Sequence, residues 1–170
     1  MRQTLRDQRG MTVAEILIAI AIIGIGLVAL SSAIPIAAYG IHEGNQLSTA
    51  TFLANQRLEQ VRNARWEAPN CELSIAAVDN LGVSASAAAA PASGGTTTFP
   101  DEDPITAPYA GYTRTVRIVD SSSSADCSGT VNADLRQVTV TVTYKPLTGV
   151  GQAPTGTTKS AVLTMYIAKR

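Results

Sequence analysis

Apolar residues form one unbroken run near the N-terminus, and they alternate with polar residues only further along the chain. From Ile16 to Ile41 no side chain is charged. As a helix rising 1.5 Å per residue, this run would be about 39 Å long. About 20 apolar residues suffice to cross a bilayer core of roughly 30 Å. The pattern therefore predicts a membrane-spanning helix with some length to spare.

Helical spacing continues beyond this run, but polar residues now separate the apolar ones. The stripe at steps of three and four consists of Leu47, Ala50, Ala54, Leu58, Val61 and Arg65. Such a stripe is typical of an amphipathic helix with one buried face. Pro69 marks its end, so we expect one helix from Met11 to about Trp66, on the order of 80 Å long.

Three later segments, 112–120, 135–144 and 161–168, alternate apolar and polar residues with period two. This alternation predicts half-buried antiparallel strands. Loops of about 14–16 residues would join them into a meander. One apolar face of the sheet must be covered, and the stripe of the long helix is the available cover. The predicted fold class is α+β, with a long N-terminal helix packed on a small antiparallel sheet.

Residues 82–100 are of low complexity, so we expect an exposed, mobile loop there. Asp101, Glu102 and Asp103 follow directly. Three acids together with backbone oxygens could hold Ca²⁺. These acids are contiguous, however, and lack EF-hand spacing. We therefore expect a solvated acidic turn and keep calcium as the alternative.

Composition narrows the range of functions. The 13 basic and 13 acidic side chains cancel, and only 15% of residues are charged. This balance argues against a basic nucleic-acid-binding surface and against a highly charged disordered chain. One histidine, His42, and two cysteines cannot supply a His- or Cys-rich zinc site. No nucleophile–histidine arrangement or phosphate-binding loop is visible, so we expect no enzyme activity, metal or cofactor.

Three arginines, Arg2, Arg6 and Arg9, precede the apolar run. By the positive-inside rule, the N-terminus stays in the cytoplasm and the C-terminal part is exported. A cleaved secretory signal is one interpretation, with a site near 31–33, but its apolar core would be too long. A plain uncleaved anchor is a second. Neither explains Glu15, because an ionised side chain at mid-membrane costs roughly 2.5–3.5 kcal/mol.

The residues at the junction read Gly10-Met11-Thr12-Val13-Ala14-Glu15. Together with the short basic leader and the long apolar run, they resemble the processing motif of type IV pilins and pseudopilins. In that family a Gly is followed by a hydrophobic residue, usually Phe, then by Thr-Leu-x-Glu. Met11 and Val13 depart from the usual residues but remain apolar. The resemblance covers about 30 residues at the N-terminus.

The resemblance implies a mechanism. A membrane-embedded prepilin peptidase would cut between Gly10 and Met11 and methylate the new amine of Met11. Thr12 and Glu15 would serve assembly, with the carboxylate of Glu15 pairing with the Met11 amine of a neighbouring subunit. The alternative is that Glu15 only reaches the membrane interface, as terminal charges do. Implied partners are other pilin subunits, the peptidase and an assembly platform in the inner membrane, and no nucleic acid.

The expected organisation is a cleaved leader (1–10), a membrane and filament-core helix (11–41), its amphipathic continuation (42–66) and an exported β-rich head (67–170). Residues 54–62 resemble PilV-type minor pilins and I-type pseudopilins. If the head is exported, Cys71 and Cys127 can form a disulfide. The predicted function is a structural subunit of a type IV pilus-like or type II secretion filament. The alternative is a membrane-anchored binding or adhesion domain that does not polymerise.

Overall fold

The structure is a computed structural model that describes residues 11–125, 127, 129, 131–148, 151–152 and 157–170. It consists of two compact units, one ending at Ile41 and one formed by His42–Arg170. One long helix and a set of small antiparallel sheets make up the described chain. The expected α+β class is therefore confirmed.

The helix α1 (Val13–Arg62) is shorter at both ends than the predicted span from Met11 to about Trp66. At its C-terminal end the N–H of Ala64 bonds to the carbonyl of Val61 at 3.1 Å, a tighter pattern than the α-helical one. Trp66 has left the helix and is buried as part of a strand. The helix therefore ends four residues before Trp66, whose indole is buried in the core.

In the part of the chain that the structure describes, ten strands follow α1. They are β1 (Trp66–Glu67), β2 (Val78–Asp79), β3 (Val83–Ser84), β4 (Pro91–Ser93), β5 (Thr96–Thr97), β6 (Tyr112–Ala125), β7 (Val131–Tyr144), β8 (Leu147–Thr148), β9 (Gly151–Gln152) and β10 (Lys159–Ala168). The main sheet has the order β10-β7-β6, with both pairs antiparallel. The three predicted strands and their meander order are confirmed.

The connection between β6 and β7 differs from the prediction. Both strands run further than expected, so only residues 126–130 separate them instead of a loop of about 14 residues. The added part of β6 is a serine run whose pairing with β7 is shifted between Asp120 and Ser124. Ladder hydrogen bonds need no apolar side chain, so apolar alternation could not detect this extension.

The core lies between the second half of α1 and the inner face of the main sheet. Its helical members are Ala50, Leu53, Ala54 and Val61, with Leu58 partly buried. Its sheet members include Val116, Ile118, Val138, Val140, Val142 and Tyr144. The predicted stripe omitted Leu53, which is 1% exposed, and included Leu47, which is 47% exposed. The stripe is thus rotated by part of a turn from its predicted position.

The prediction of an exposed, mobile loop over 82–100 is wrong in one respect, because the segment contains three short strands; most of its residues are exposed or partly exposed, as predicted. Strands β3, β4 and β5 form a small antiparallel sheet there, and Leu81, Pro91 and Phe99 are buried. Gly82 is required at its position, because its φ is +71° and a Cβ would lie 2.7 Å from the carbonyl carbon of Ala92. The segment has no hydrophobic period, so the pattern of apolar residues did not predict these strands.

Candidate functional site

The candidate processing and assembly site lies at the beginning of α1. Gly10, the residue before the expected cut, lies outside the described residues. Met11 is the first described residue, and it is 72% exposed. Thr12 directly precedes the helix, and Glu15 lies in its first turn. The structure therefore brings together Met11, Thr12 and Glu15.

Thr12 and Glu15 bind each other at the helix start. The backbone N–H of Glu15 donates to Oγ1 of Thr12 at 3.3 Å. In return, Oε2 of Glu15 accepts from the backbone N–H of Thr12 at 2.8 Å and from its hydroxyl at 3.1 Å. This is a capping box, in which two N–H groups without helical partners are satisfied reciprocally.

The capping box was missed in the sequence, although its signal is present there. Thr, two residues and then Glu before an apolar run is the usual signature of a helix start. The carboxylate also lies where the helix dipole favours negative charge. Glu15 therefore has a local structural role in a single chain, and any role in assembly must be compatible with it.

Only one oxygen of the Glu15 carboxylate is used in the capping box. Both hydrogen bonds to the carboxylate are accepted by Oε2. Among the residues that the structure describes, from Met11 onwards, no hydrogen bond to Oε1 is seen. A carboxylate can accept about four hydrogen bonds. Glu15 is thus able to bind an additional cation without giving up its cap.

The helix surface that follows Glu15 is apolar and uncovered. The large apolar side chains from Val13 to Ile41 are between 44% and 74% exposed. None of the most apolar 18-residue stretch of α1 is buried, and the helix is long and apolar enough to cross a membrane. Exposed apolar patches of this extent mark sites of contact with lipid or protein.

Two arginines point into the core of the second unit, which sequence reasoning did not foresee. Arg114 on β6 donates through Nε to Glu102 at 2.5 Å and through Nη1 to the carbonyl of Leu53 at 3.0 Å. Arg57 on α1 binds the same Glu102 oxygen at 2.8 Å. Burial raises the pKa of Glu102, but hydrogen bonds from Arg114 and Arg57 outweigh it and hold the pKa below its ordinary value.

A second cluster surrounds Arg136 on β7. Its guanidinium lies 4.3 Å from the ring centre of Trp66, a cation–π contact. It donates to Asp120 and to Asp79, both at 2.8 Å. Burial raises the pKa of Asp79, but hydrogen bonds from Arg136 and from the backbone N–H of Gly82 outweigh this effect. The pKa of Asp79 is therefore below its ordinary value. The cluster fastens β1 and β2 to the main sheet.

The acidic turn is not the solvated turn that the sequence predicted. Asp101 pairs with Arg117 at 2.7 Å, and the hydrogen bond from Arg117 lowers the pKa of Asp101. Glu102 forms ion pairs with Arg57 and Arg114. Only Asp103 fits the prediction. Among the residues described, no three acidic, histidine or cysteine side chains group as metal ligands.

Cys71 and Cys127 form a disulfide in the structure, the pairing that the sequence analysis expected if the head is exported. Their Cα atoms are 5.6 Å apart, within the usual range for such a bond. The bond links the loop after β1 to the connection between β6 and β7. It encloses the small sheet formed by β3, β4 and β5.

Comparison with family models found one match. Residues 5–31 match the prokaryotic N-terminal methylation motif. The match includes the predicted cleavage site, the capping box and residues 13–31 of the exposed apolar helix. Comparisons with curated proteins and with solved structures found no match. The matched motif is the one that the residues of the junction resemble.

Proposed function

We propose that this chain, whose methylation motif supports its assignment to the type IV pilin family, is a structural subunit of a pilus-like filament. The observation that carries the proposal is the combination of that motif with an apolar helix surface that nothing in the described chain covers. The family role is a structural one. We propose further that the chain is a minor pilin or pseudopilin of the PilV or I type.

Processing is the first step of the proposed mechanism. A prepilin peptidase cuts between Gly10 and Met11 on the cytoplasmic side and methylates the new amine of Met11. The apolar helix stays attached, since the cut precedes Val13, where α1 begins. The cut creates a cation at the end of α1 that already carries the Glu15 carboxylate.

Assembly is the second step. In a filament, Oε1 of Glu15, which the capping box does not use, accepts a charge-assisted hydrogen bond from the Met11 amine of a neighbouring subunit. Thr12 keeps the carboxylate oriented through its two hydrogen bonds. Removal of one partner from an ion pair among packed apolar helices is strongly destabilising. The pair therefore fixes the axial position of each subunit.

The proposed location follows from the same features. The helix holds the chain in the inner membrane with its head outside the cytoplasm, until an assembly platform passes it into the filament. The exposed apolar surface of α1 then exchanges lipid for neighbouring helices. The partners are other pilin subunits, the peptidase and the platform.

The decisive experiment is the N-terminal mass of the protein isolated from membranes of its host. We expect a mature chain that begins with N-methylated Met11. A chain that begins with Met1 would indicate a plain anchor, and one that begins near Ile34 a secreted head. Either result would refute the proposed processing.

A second experiment tests assembly. Glu15→Ala should abolish incorporation into filaments while membrane insertion stays normal, and Glu15→Gln should reduce incorporation because the amide carries no charge. Glu72→Ala removes an exposed acid of the head and serves as the matched control. Normal incorporation of Glu15→Ala would favour the anchored, non-polymerising domain instead.

A further inference from the structure

A cavity of about 290 Å³ lies at the end of the main sheet where β6 begins and β7 ends. Thr113 and Thr143 are directly opposite each other in the pairing of these strands, so their side chains lie on the same face of the sheet. The complete lining is Gly111, Thr113, Thr143, Tyr144, Lys145 and Thr158. A cavity of this volume accepts a small group rather than a large ligand.

The lining of this cavity suits an anion. It contains three threonine hydroxyls, each able to donate a hydrogen bond, and no acidic residue. The exposed ammonium of Lys145 pairs with no acidic side chain in the part of the chain that the structure describes. Lys159 lies near the same end of the sheet, but Glu43 already neutralises it. The lining thus supplies donors and one unpaired positive charge.

Contacts with α1 hold this end of the sheet close to the end of the apolar run. The side-chain amide of Gln46 donates to the carbonyl of Lys145 at 3.2 Å. Glu43 forms an ion pair with Lys159, the first residue of β10. Glu43 and Gln46 follow Ile41, the last residue of the apolar run, by two and five residues. These separations correspond to about 3 Å and about 7.5 Å of helix.

The distance from the apolar run indicates which anion is at hand. An apolar helix longer than the bilayer core of roughly 30 Å adapts to it by tilting, so Ile41 lies near the outer edge of the hydrocarbon when the run is in a membrane. The headgroup layer extends beyond that edge by about 5–7 Å. The carbonyl of Lys145, bonded to Gln46, is then at the level of the lipid phosphates.

We propose that this cavity binds the phosphodiester group of an anionic phospholipid in the outer leaflet. The ammonium of Lys145 forms a charge-assisted hydrogen bond with a phosphate oxygen. The hydroxyls of Thr113, Thr143 and Thr158 donate to the remaining oxygens. Binding holds this end of the head at the membrane surface. The inference rests on the proposed membrane location of α1 and does not depend on assembly into a filament.

The test uses the full chain in phosphatidylcholine nanodiscs that contain an increasing share of phosphatidylglycerol. We expect saturable slowing of amide hydrogen exchange within 111–113 and 143–145, with no change within 116–119. Lys145→Gln should weaken this binding about fivefold, the contribution of one lysine near an anionic surface. Lys169→Gln is the matched control, because Lys169 follows β10 at the opposite end of the main sheet, and it should bind like the wild type.

A second pair of variants separates hydrogen bonding from charge. Thr143→Val should weaken binding, whereas Thr141→Val, on the same face of β7 but outside the cavity, should not. Circular dichroism confirms that each variant is folded.

Co-elution with the nanodiscs is measured first, and a chain that does not enter them would refute both the membrane location and this proposal. An inserted chain without protection by phosphatidylglycerol would overturn this proposal alone. So would equal losses in Lys145→Gln and Lys169→Gln, or equal protection by inorganic phosphate in pure phosphatidylcholine, because the ligand would then be a free anion.

Discussion

The two halves of α1 belong to one continuous helix, but their side chains have opposite fates. In the half before His42, large apolar residues are exposed on every side, and none is buried. In the half from His42 to Arg62, a single stripe is buried against the main sheet, and the other sides are mostly polar, with Leu47 and Phe52 exposed among them. The two halves therefore share a secondary structure but differ in which of their sides are apolar and in whether those sides are buried.

This difference shows that the distribution of apolar side chains around a helix indicates the surroundings that the helix needs. A helix that is apolar all round needs surroundings that are apolar all round, which means lipid or other helices. A helix with one apolar stripe needs one packing partner, and the second half of α1 finds it in its own chain. The first half must find its partners outside the described chain.

Loss of the disulfide should produce the largest difference between the two regions. The bond closes a loop of 56 residues, so its removal should lower the free energy of unfolding of the head by roughly 4 kcal/mol. The first half of α1 lies outside that loop and should keep its helix. Urea unfolding of Cys71→Ser/Cys127→Ser, followed by Trp66 fluorescence and far-UV circular dichroism, tests this.

Reductant added to that double variant should have no further effect, which provides the control. If the reduced wild type unfolds at the same urea concentration as the oxidised protein, the disulfide does not stabilise the head.

The second-largest difference is expected between leucine-to-alanine substitutions in the two halves of α1. Leu53→Ala should destabilise the head by about 3 kcal/mol, since it removes a fully buried side chain and leaves a cavity. Leu27→Ala, at a position 60% exposed, should change the unfolding of the head by less than about 0.5 kcal/mol. Equal effects would mean that the two halves share one core.

Loss of the Glu102 carboxylate should have a somewhat smaller effect. Glu102→Gln leaves Arg57 and Arg114 without a counter-ion and should cost about 2 kcal/mol at pH 7, less than a fully buried pair because Glu102 is 29% exposed. Asp103→Asn, which changes the exposed acid next in the chain, should be nearly neutral. Urea unfolding of both variants provides the measurement.

The same carboxylate predicts a pH dependence. Its pKa is lower in the folded chain than its ordinary value of 4.5, so the unfolded chain binds more protons as the pH falls. The stabilisation is therefore complete above pH 4.5 and is lost below it as the pH falls through the folded pKa. In Glu102→Gln the loss of stability below pH 4.5 should be shallower, and an unchanged slope would contradict the assignment.

An effect smaller than those at Leu53 and Glu102 is expected at Leu47. The spacing of apolar residues places it in the buried stripe, but it is 47% exposed. Leu47→Ala should therefore cost less than about 1 kcal/mol, a fraction of the cost at Leu53. The two variants compared in one urea series test whether Leu53, and not Leu47, lies on the buried face of α1.

The sequence by itself determined the long helix, the class of the fold, the three main strands and their order, and the junction motif at Gly10-Met11. Each of these depends on local patterning: a run without charge, a period of two, or fixed residue types at fixed spacing. The capping box of Thr12 and Glu15 is also local, and its signature could have been read from the sequence.

Only the tertiary structure decided which side of α1 is buried, where the helix ends, and that Arg114 and Arg136 point into the core. Only there is it seen that strands within 82–100 form a small sheet and that Glu102 pairs with two arginines. These features depend on groups that lie far apart in the chain. A buried arginine follows the same alternation as an apolar residue, and its acid partner becomes identifiable only when the fold brings the two together.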